Sequence, residues 1–471
     1  MKILLINPMY IIYGGLKGMG GSAPPLGLAY IAAYLREKKD NVDISILDAE
    51  ALKMELEDVK KHIINIKPDV VGITSTTPCF YYALKIAELA KNISRDIKIV
   101  MGGAHPSALP KETVKNVNVD YVVKGEGEIT FFELIKAIDG LMNFKDISGL
   151  FYKEENKIKE NLPRQLIENI DQLPYPARDL LPNDLYGPPP TKRVSIYKPT
   201  SITSGRGCPF QCSFCCARVV WTRRYRGRDP KKFVDEIEYC ADKYNMREFS
   251  FTDELFTADY KRALDVCNEI IKRKLKIAWV CSSRVGLVTL ELLDKMKKAG
   301  CREISFGIES GDQKILDSIN KKIVLDDVRK SIKLVKKSGI KTHGSFIIGN
   351  IGETEETARK TVEFAKELNL DIAAFFIASP YPGTDLYNEA VEKSLIRKDW
   401  EWKDFSPLSN SLPLLNLPSL PPKETMRIHR QALKEYYWRP RYILMKLFHI
   451  RKLVDFLNIF NGIKLFFNIK K

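Results

Sequence analysis

The stretch Ser204-Gly-Arg-Gly-Cys208-Pro-Phe-Gln-Cys212-Ser-Phe-Cys215-Cys216 limits what this chain can fold into more than any other. Three of its thiols lie within eight residues, spaced C-x3-C-x2-C, with Phe214 just before the third. Thiolates this close cannot be distributed over separate secondary elements, so they must wrap one compact centre. A cubane iron–sulfur cluster normally takes four Cys ligands. This loop offers three, which leaves one iron open for a ligand. Thr200-Ser-Ile-Thr-Ser204 reads as a strand running into the loop, and Gly205 and Gly207 let the backbone turn tightly there. A zinc site would normally follow its first Cys pair with a distant second pair. Here Cys240, Cys267, Cys281 and Cys301 are scattered singly, and Cys216 is a poor fourth ligand because adjacent side chains diverge.

A chain of 471 residues exceeds what one core usually serves, so two or three domains are expected. Hydrophobic content of 45% with 28% charged residues excludes an intrinsically disordered protein. Nine Cys without regular pairing argue against a disulfide scaffold and for a reducing compartment. No long uncharged apolar run appears, so no membrane-spanning helix is expected. The opening Met-Lys-Ile-Leu-Leu-Ile-Asn7-Pro8 is too short for a signal peptide and reads as a first strand, which places the protein in the cytoplasm. The net charge of +16 favours anionic partners, but the excess is mostly Lys dispersed along amphipathic helices and decides nothing alone.

Residues 1–145 alternate strand and helix. The short β-branched runs Lys2–Asn7, Ile44–Asp48, Val70–Thr74, Ile99–Gly103 and Tyr121–Lys124 read as buried parallel strands, with helical patterns such as Leu26–Glu37 between them. That predicts a doubly wound, Rossmann-like α/β domain whose ligand sits at the strand carboxyl ends. Those ends carry Gly14 to Gly21, Thr74-Ser75-Thr-Thr77, Gly102-Gly103-Ala-His105 and Gly125-Glu126-Gly127. The first of these does not fit the dinucleotide fingerprint G-x-G-x-x-G. Residues 146–194, with Leu173-Pro-Tyr-Pro and Gly187-Pro-Pro-Pro190, read as a Pro-rich linker. From 195 to 390, six strand–helix units suggest a partial (β/α)6 TIM-type barrel, with strands at Ser201–Ser204, Glu248–Asp253, Lys276–Ser282, Glu303–Ile308, Lys341–Ile348 and Ile372–Ala378. Its strand ends are polar: Asp253-Glu254; Ser282-Ser283-Arg284, suited to a carboxylate or ribose; and Glu309, which needs a polar partner such as a ribose hydroxyl. Tyr381, after strand six, is a candidate proton or hydrogen-atom donor at the barrel mouth, set against a packed turn Tyr.

The cysteine loop resembles that of the radical S-adenosylmethionine (radical SAM) superfamily, whose signature is C-x3-C-x-aromatic-C. The resemblance implies a [4Fe–4S] cluster on Cys208, Cys212 and Cys215, with SAM chelated to the open iron and cleaved reductively to a 5′-deoxyadenosyl radical. It implies that Asp253-Glu254 meet the amino group of SAM, and that Phe346-Ile-Ile-Gly349-Asn-Ile-Gly-Glu353 packs near the adenine, with Asn and Ile where Leu and Pro are common. The order Pro24-Pro-Leu-Gly-Leu-Ala-Tyr, Gly-Gly-Ala-His-Pro and Val-Lys-Gly-Glu-Gly-Glu resembles the cobalamin-binding domain found ahead of many such barrels. This assigns Thr74, Ser75, Gly102, Gly103, His105, Gly125 and Glu126 to the corrin side. The Asp-x-His-x-x-Gly motif that supplies a lower axial His is absent; His105 stands as a cobalt neighbour or as a surface His. The N-terminal third holds only Cys79, against the second cluster of the methylthiotransferase branch.

Residues 391–471 form a helical, basic and aromatic tail. The helix from about Lys423 and the turns Leu453–Ile469 suit either a membrane interface or a cap on the barrel. The run Tyr437-Trp-Arg-Pro-Arg-Tyr-Ile-Leu resembles the tail of cobalamin-dependent members acting on lipids and tetrapyrroles, including the hopanoid methylases and the anaerobic magnesium-protoporphyrin cyclase. The expected activity is C-methylation of an unactivated carbon on a hydrophobic substrate through SAM, a [4Fe–4S] cluster and cobalamin, with ring closure or oxidation as the alternative and a non-catalytic cobalamin or redox sensor as the reading from another class. The expected partners are a small lipid or tetrapyrrole substrate and an electron donor such as flavodoxin or ferredoxin, with peripheral contact to the inner membrane face through the tail and no nucleic acid.

Overall fold

The computed structural model describes residues 1–9, 21–189, 192–405, 412–448 and 457. The N-terminal runs fold as read. Strands β1 (Lys2–Asn7), β2 (Asp43–Asp48), β3 (Val70–Thr74), β4 (Lys98–Gly102) and β5 (Tyr121–Val123) pair in parallel, in the order β2-β1-β3-β4-β5. Helices Leu26–Lys38 and Glu128–Ile138 cover one face through Leu28, Ala32, Leu35, Phe131 and Leu134. Helices Leu56–Ile66 and Phe80–Ile93 cover the other through Val59, Ile63, Ala83 and Ile86. With both faces covered, the strands can be apolar on both sides, as parallel sheets require.

The sheet does not stop at residue 145. An antiparallel hairpin, β6 (Leu150–Glu154) and β7 (Lys157–Glu160), extends it to seven strands, which takes the first part of the expected linker into the N-terminal domain. The rest of that segment is anchored rather than loose. Ala177 N donates to Ala29 O (3.0 Å), and the buried Arg178 guanidinium reaches Thr200 and Glu236 of the next module.

The second module begins with β8 (Lys198–Ile202) and a two-stranded antiparallel pair, β9 (Gly205–Arg206) and β10 (Arg226–Gly227). Strands β11 (Met246–Phe251), β12 (Ala278–Ser283), β13 (Cys301–Glu309), β14 (Lys341–Ile348) and β15 (Ile372–Ile377) then complete an all-parallel six-stranded sheet in the order β15-β14-β13-β12-β11-β8. This is the expected partial barrel. Its outer helices bury Phe233, Ile237, Val266, Leu292, Val328 and Val362 against the strands in one continuous core.

Helix Pro422–Tyr437 buries Ile428, Ala432 and Tyr436 against this barrel, and the Tyr436 hydroxyl donates to Leu370 O (2.6 Å). Of the two readings of the tail, this helix takes that of a cap. No helix among the described residues is long and apolar enough to cross a membrane. Apart from Leu457, the stretch Leu453–Ile469 lies outside the described residues, as do residues 10–20, which hold most of the Gly14 to Gly21 run.

Candidate active site

The cysteine loop is held at its base by the β9–β10 pair and from below by β11. Asp253, at the end of β11, accepts from Ser204 N (2.7 Å) and Ser204 Oγ (2.5 Å) and is almost fully buried. It fixes the entry to the loop, whereas the sequence placed it toward SAM. Its neighbour Glu254 accepts from Gly207 N (3.2 Å) and stays partly accessible; burial pushes its carboxyl above the usual range. Gly207 has φ +90°, and a Cβ there would lie 2.1 Å from Arg224 O, so only glycine lets the loop leave the sheet at this angle.

Cys208, Cys212 and Cys215 are half-buried free thiols. Burial pushes the Cys208 thiol up and the Cys215 thiol to about 12, and iron binding there displaces the protons of these two. Among the described residues, no three His, Cys, Asp or Glu side chains converge on one ion. A cubane gives each thiolate its own iron, so three Cys on one loop would fill three of its four corners. Arg284, at the end of β12, is turned onto the loop, with Nη1 3.8 Å from Cys212 Sγ.

Beside the loop, a cavity of about 250 Å³ opens between Phe214 and the ends of β13 to β15, lined also by Glu309, Ser345, Asn350, Phe376 and Tyr381. Its walls are mostly apolar. Ligand pockets that take a whole drug-sized molecule run to roughly 300–1,000 Å³, so this one suits part of a ligand, such as a purine nucleoside. Asn350 Oδ1 is buried with no hydrogen-bond partner, an acceptor that an amino group entering the cavity would satisfy.

Glu309 already has a polar partner that its burial demands, Lys321 Nζ (2.8 Å). Gly349 and Glu353 serve the turn itself. The Glu353 carboxylate accepts from Gly349 N and from Asn350 N (3.1 Å), and burial raises it to about 7. Gly349 lies under Thr425 of the capping helix, and it is Asn350 that lines the cavity. Ser345 and Phe376 were missed as site residues, although the period-two alternation of β14 and β15 could have placed them on the cavity face.

On the N-terminal sheet, the ends of β3 and β4 come together. Thr74 pairs with Gly102, and Ser75 N donates to Gly102 O (2.8 Å). A Cβ at Gly103 (φ +97°) would lie 2.8 Å from Ser75 O, so the two loops are as close as backbone allows. His105 is buried between Phe80 (ring centroids 3.8 Å apart) and Trp402 (4.6 Å, edge-on). Its Nδ1 lies 3.2 Å from Thr77 Oγ1, Nε2 has no partner, and burial holds the ring to about 3, hence neutral. Small residues at close-set strand ends, open space beside Gly125 and an orphaned neutral imidazole fit a corrinoid lying on this edge.

Glu126 does not belong to that group. It accepts from Arg206 Nη1 (2.8 Å), Arg226 Nη1 (2.9 Å) and Ile167 N (2.7 Å), and Glu128 accepts from Arg206 Nη2 (2.6 Å), all buried. These ion pairs fasten the two modules together. Nearby, a Cβ on Gly383 would lie 3.2 Å from Ala108. Tyr381, Phe405, Trp402 and Phe80 form a chain of ring contacts from the barrel mouth to the β3 end. The two strand-end faces therefore look toward each other.

Comparison with known proteins agrees with this architecture. Residues 202–365 match the radical SAM superfamily, and residues 16–135 match the B12 binding domain. The chain is 37% identical to an uncharacterized methyltransferase of Pyrococcus horikoshii, over 95% of both chains. It is 34% identical to the anaerobic magnesium-protoporphyrin IX monomethyl ester cyclase of Rubrivivax gelatinosus, over 83% of this chain and 70% of that one. The solved structure of the radical SAM methyltransferase TsrM from Kitasatospora setae, with cobalamin and a [4Fe–4S] cluster bound, superposes with a TM-score of 0.67 at 20% identity, covering 91% of this chain and 82% of that one.

Proposed function

Since the chain belongs to the radical SAM enzymes that carry a B12-binding domain, we propose that it is a cobalamin-dependent methyltransferase acting on an unactivated carbon of a hydrophobic small molecule. The observation that carries the proposal is the mutual approach of two sites. The cysteine loop with its nucleoside-sized cavity and the small-residue edge of the N-terminal sheet face each other, locked by the buried Glu126–Arg206–Arg226 pairs. When bound, the cluster with SAM supplies a carbon radical, and the corrinoid supplies the methyl group.

The chain's own residues then have separable tasks. Cys208, Cys212 and Cys215 would hold the cluster. Glu254 would accept the amino group of SAM, while Phe214, Ser345 and Asn350 would enclose its adenosyl part. Asp253 and Gly207 fix the loop that carries the thiols. The cavity is too small to take a tetrapyrrole or a lipid chain as well, so the substrate would enter between the modules, past Tyr381 and the aromatic ring chain. Tyr381 borders both spaces and is the candidate donor to the substrate. Thr74, Ser75, Gly102, Gly103, His105 and Gly125 would meet the corrinoid. We assign residues 1–160 to the corrinoid module, 195–390 to the barrel and helix Pro422–Tyr437 to the cap. An external one-electron donor of the flavodoxin or ferredoxin kind would supply the reductant.

The test uses anaerobically reconstituted protein, reductant and methyl-labelled SAM, with lipid and tetrapyrrole candidates. Equal yields of S-adenosylhomocysteine and 5′-deoxyadenosine with label in the product support methylation. The identity to the Rubrivivax cyclase favours a second reading, ring closure or oxidation, and 5′-deoxyadenosine alone would establish that instead.

A further inference from the structure

Arg284 differs from the other arginines that this fold buries. Arg178 and Arg228 share Glu236, Arg206 and Arg226 share Glu126, and Arg262 lies in the field of the buried Asp253. Arg284 is only 6% exposed, yet its contacts among the described residues include no carboxylate. Its Nη2 donates to the carbonyls of Lys321 and Lys322 (3.2 Å for the latter). The guanidinium lies 3.9 Å from the centroid of the Phe210 ring, and Nη1 lies 3.8 Å from Cys212 Sγ. Phe210 and Cys212 both belong to the cysteine loop. A buried cation without a counter-charge is costly, and the two backbone carbonyls and the Phe210 ring that Arg284 meets carry no full negative charge. An iron-bound thiolate is anionic and is the acceptor this donor lacks.

We propose that Arg284 is the built-in counter-charge of the loaded cluster, donating a charge-assisted N–H···S bond to the Cys212 thiolate and so raising the potential at which the cluster accepts its electron. One-electron reduction adds a negative charge to the cluster, and a fixed cation stabilises the reduced form more than the oxidised one. Hydrogen bonds to cluster sulfurs act in the same direction. The electron comes from the external donor, which is oxidised by one electron. No proton is transferred in the step. The inference rests on the cluster of the reading above but not on the fate of the radical. It also differs from a carboxylate-binding role for Arg284, because the effect exists before SAM arrives.

Wild type, Arg284→Gln and Arg284→Lys, each full length and reconstituted anaerobically, are assayed for iron and sulfide. They are then titrated potentiometrically with the reduced cluster followed by electron paramagnetic resonance, first without SAM and then with it. Without SAM, the Gln variant is expected to show at least a tenfold lower ratio of reduced to oxidised cluster at a fixed potential, equivalent to about 59 mV for a one-electron couple. The Lys variant, which keeps the charge and loses the planar fork, falls between. A Gln variant that loads iron normally and titrates like wild type overturns the proposal, as does a shift that appears only once SAM is added. Should Gln fail to retain the cluster, Lys decides: a lowered midpoint supports the oriented donor and a wild-type midpoint refutes it. The midpoint is read on the cluster alone, so the result does not depend on whether the product is methylated.

Discussion

Replacing Glu126 by Gln tests whether the two modules are held together by charge. The carboxylate has three buried donors: Arg206, Arg226 and the Ile167 amide. Gln preserves the shape and one acceptor oxygen but turns an NH2 group toward a guanidinium. Removing one partner of a buried ion pair typically costs ~3–5 kcal/mol, most of it from the charge left uncompensated. Because Arg206 keeps Glu128, the lower end applies, about 3 kcal/mol. At about 1.4 kcal/mol per factor of ten, interface opening should become about a hundredfold more frequent. Native-state hydrogen exchange of peptides covering 121–128 and 161–170 reads this directly, without assuming that so large a chain unfolds in one step.

The pH dependence supplies the sign. Burial alone would raise the Glu126 carboxyl, but the Arg226 and Arg206 guanidinium groups outweigh it and hold it below the usual range. Its contribution is therefore complete above the ordinary glutamate value near 4.3 and lost as pH falls through the depressed one. Exchange in wild type should accelerate toward that of the variant in this acid window, while the variant stays flat. Less than a fivefold change at pH 7, or an equal acid response in both proteins, would refute the argument.

Ser replacements of Cys208, Cys212 and Cys215 should each lose cluster iron and sulfide on anaerobic reconstitution, whereas Cys216→Ser should load like wild type, since its thiol is the one left out of the motif. Asn350→Ala and Phe214→Ala should retain iron but weaken SAM binding by about 2–13-fold, the scale of one lost hydrogen bond or one lost stacking contact; equilibrium dialysis against labelled SAM measures it. The neutral, buried His105 makes wild type lose stability as pH falls below the ordinary value near 6.5, because the unfolded chain takes up the proton first and the folded ring resists down to about 3. Between pH 6.5 and 5 the slope of about 1.4 kcal/mol per pH unit amounts to about 2 kcal/mol, and His105→Phe, which fills the same aromatic slot, should lack that component in urea melts.

How much of this could be read from the chain alone depended on the range of the interaction. The cysteine loop was legible because its chemistry is local, with all three thiols inside eight residues. The buried strands were legible because apolar β-branched runs between helical patterns leave few other folds. The β6–β7 hairpin was missed for a local reason. Its two turn residues, Glu155 and Asn156, both have positive φ (+49° and +62°), a conformation usually announced by Asn-Gly or Asp-Gly. A glutamate at the first position hides the signal. Glu126 and Arg284 have partners that the sequence hides for the opposite reason. Each stands on a polar strand end, where a ligand is the natural expectation, and each is claimed by a partner far away in sequence: Glu126 by arginines 80 and 100 positions on, Arg284 by a cysteine 72 positions back. A strand-end charge in an α/β protein can therefore face a ligand, a second module or a cofactor's own ligands, and only the fold says which. Here Asp253 and Glu126, which looked like ligand contacts, hold the machinery in place. Beside Glu309, the cavity is bordered by Phe214, Ser345 and Asn350, which are aromatic or neutral and which a search for charge passes over.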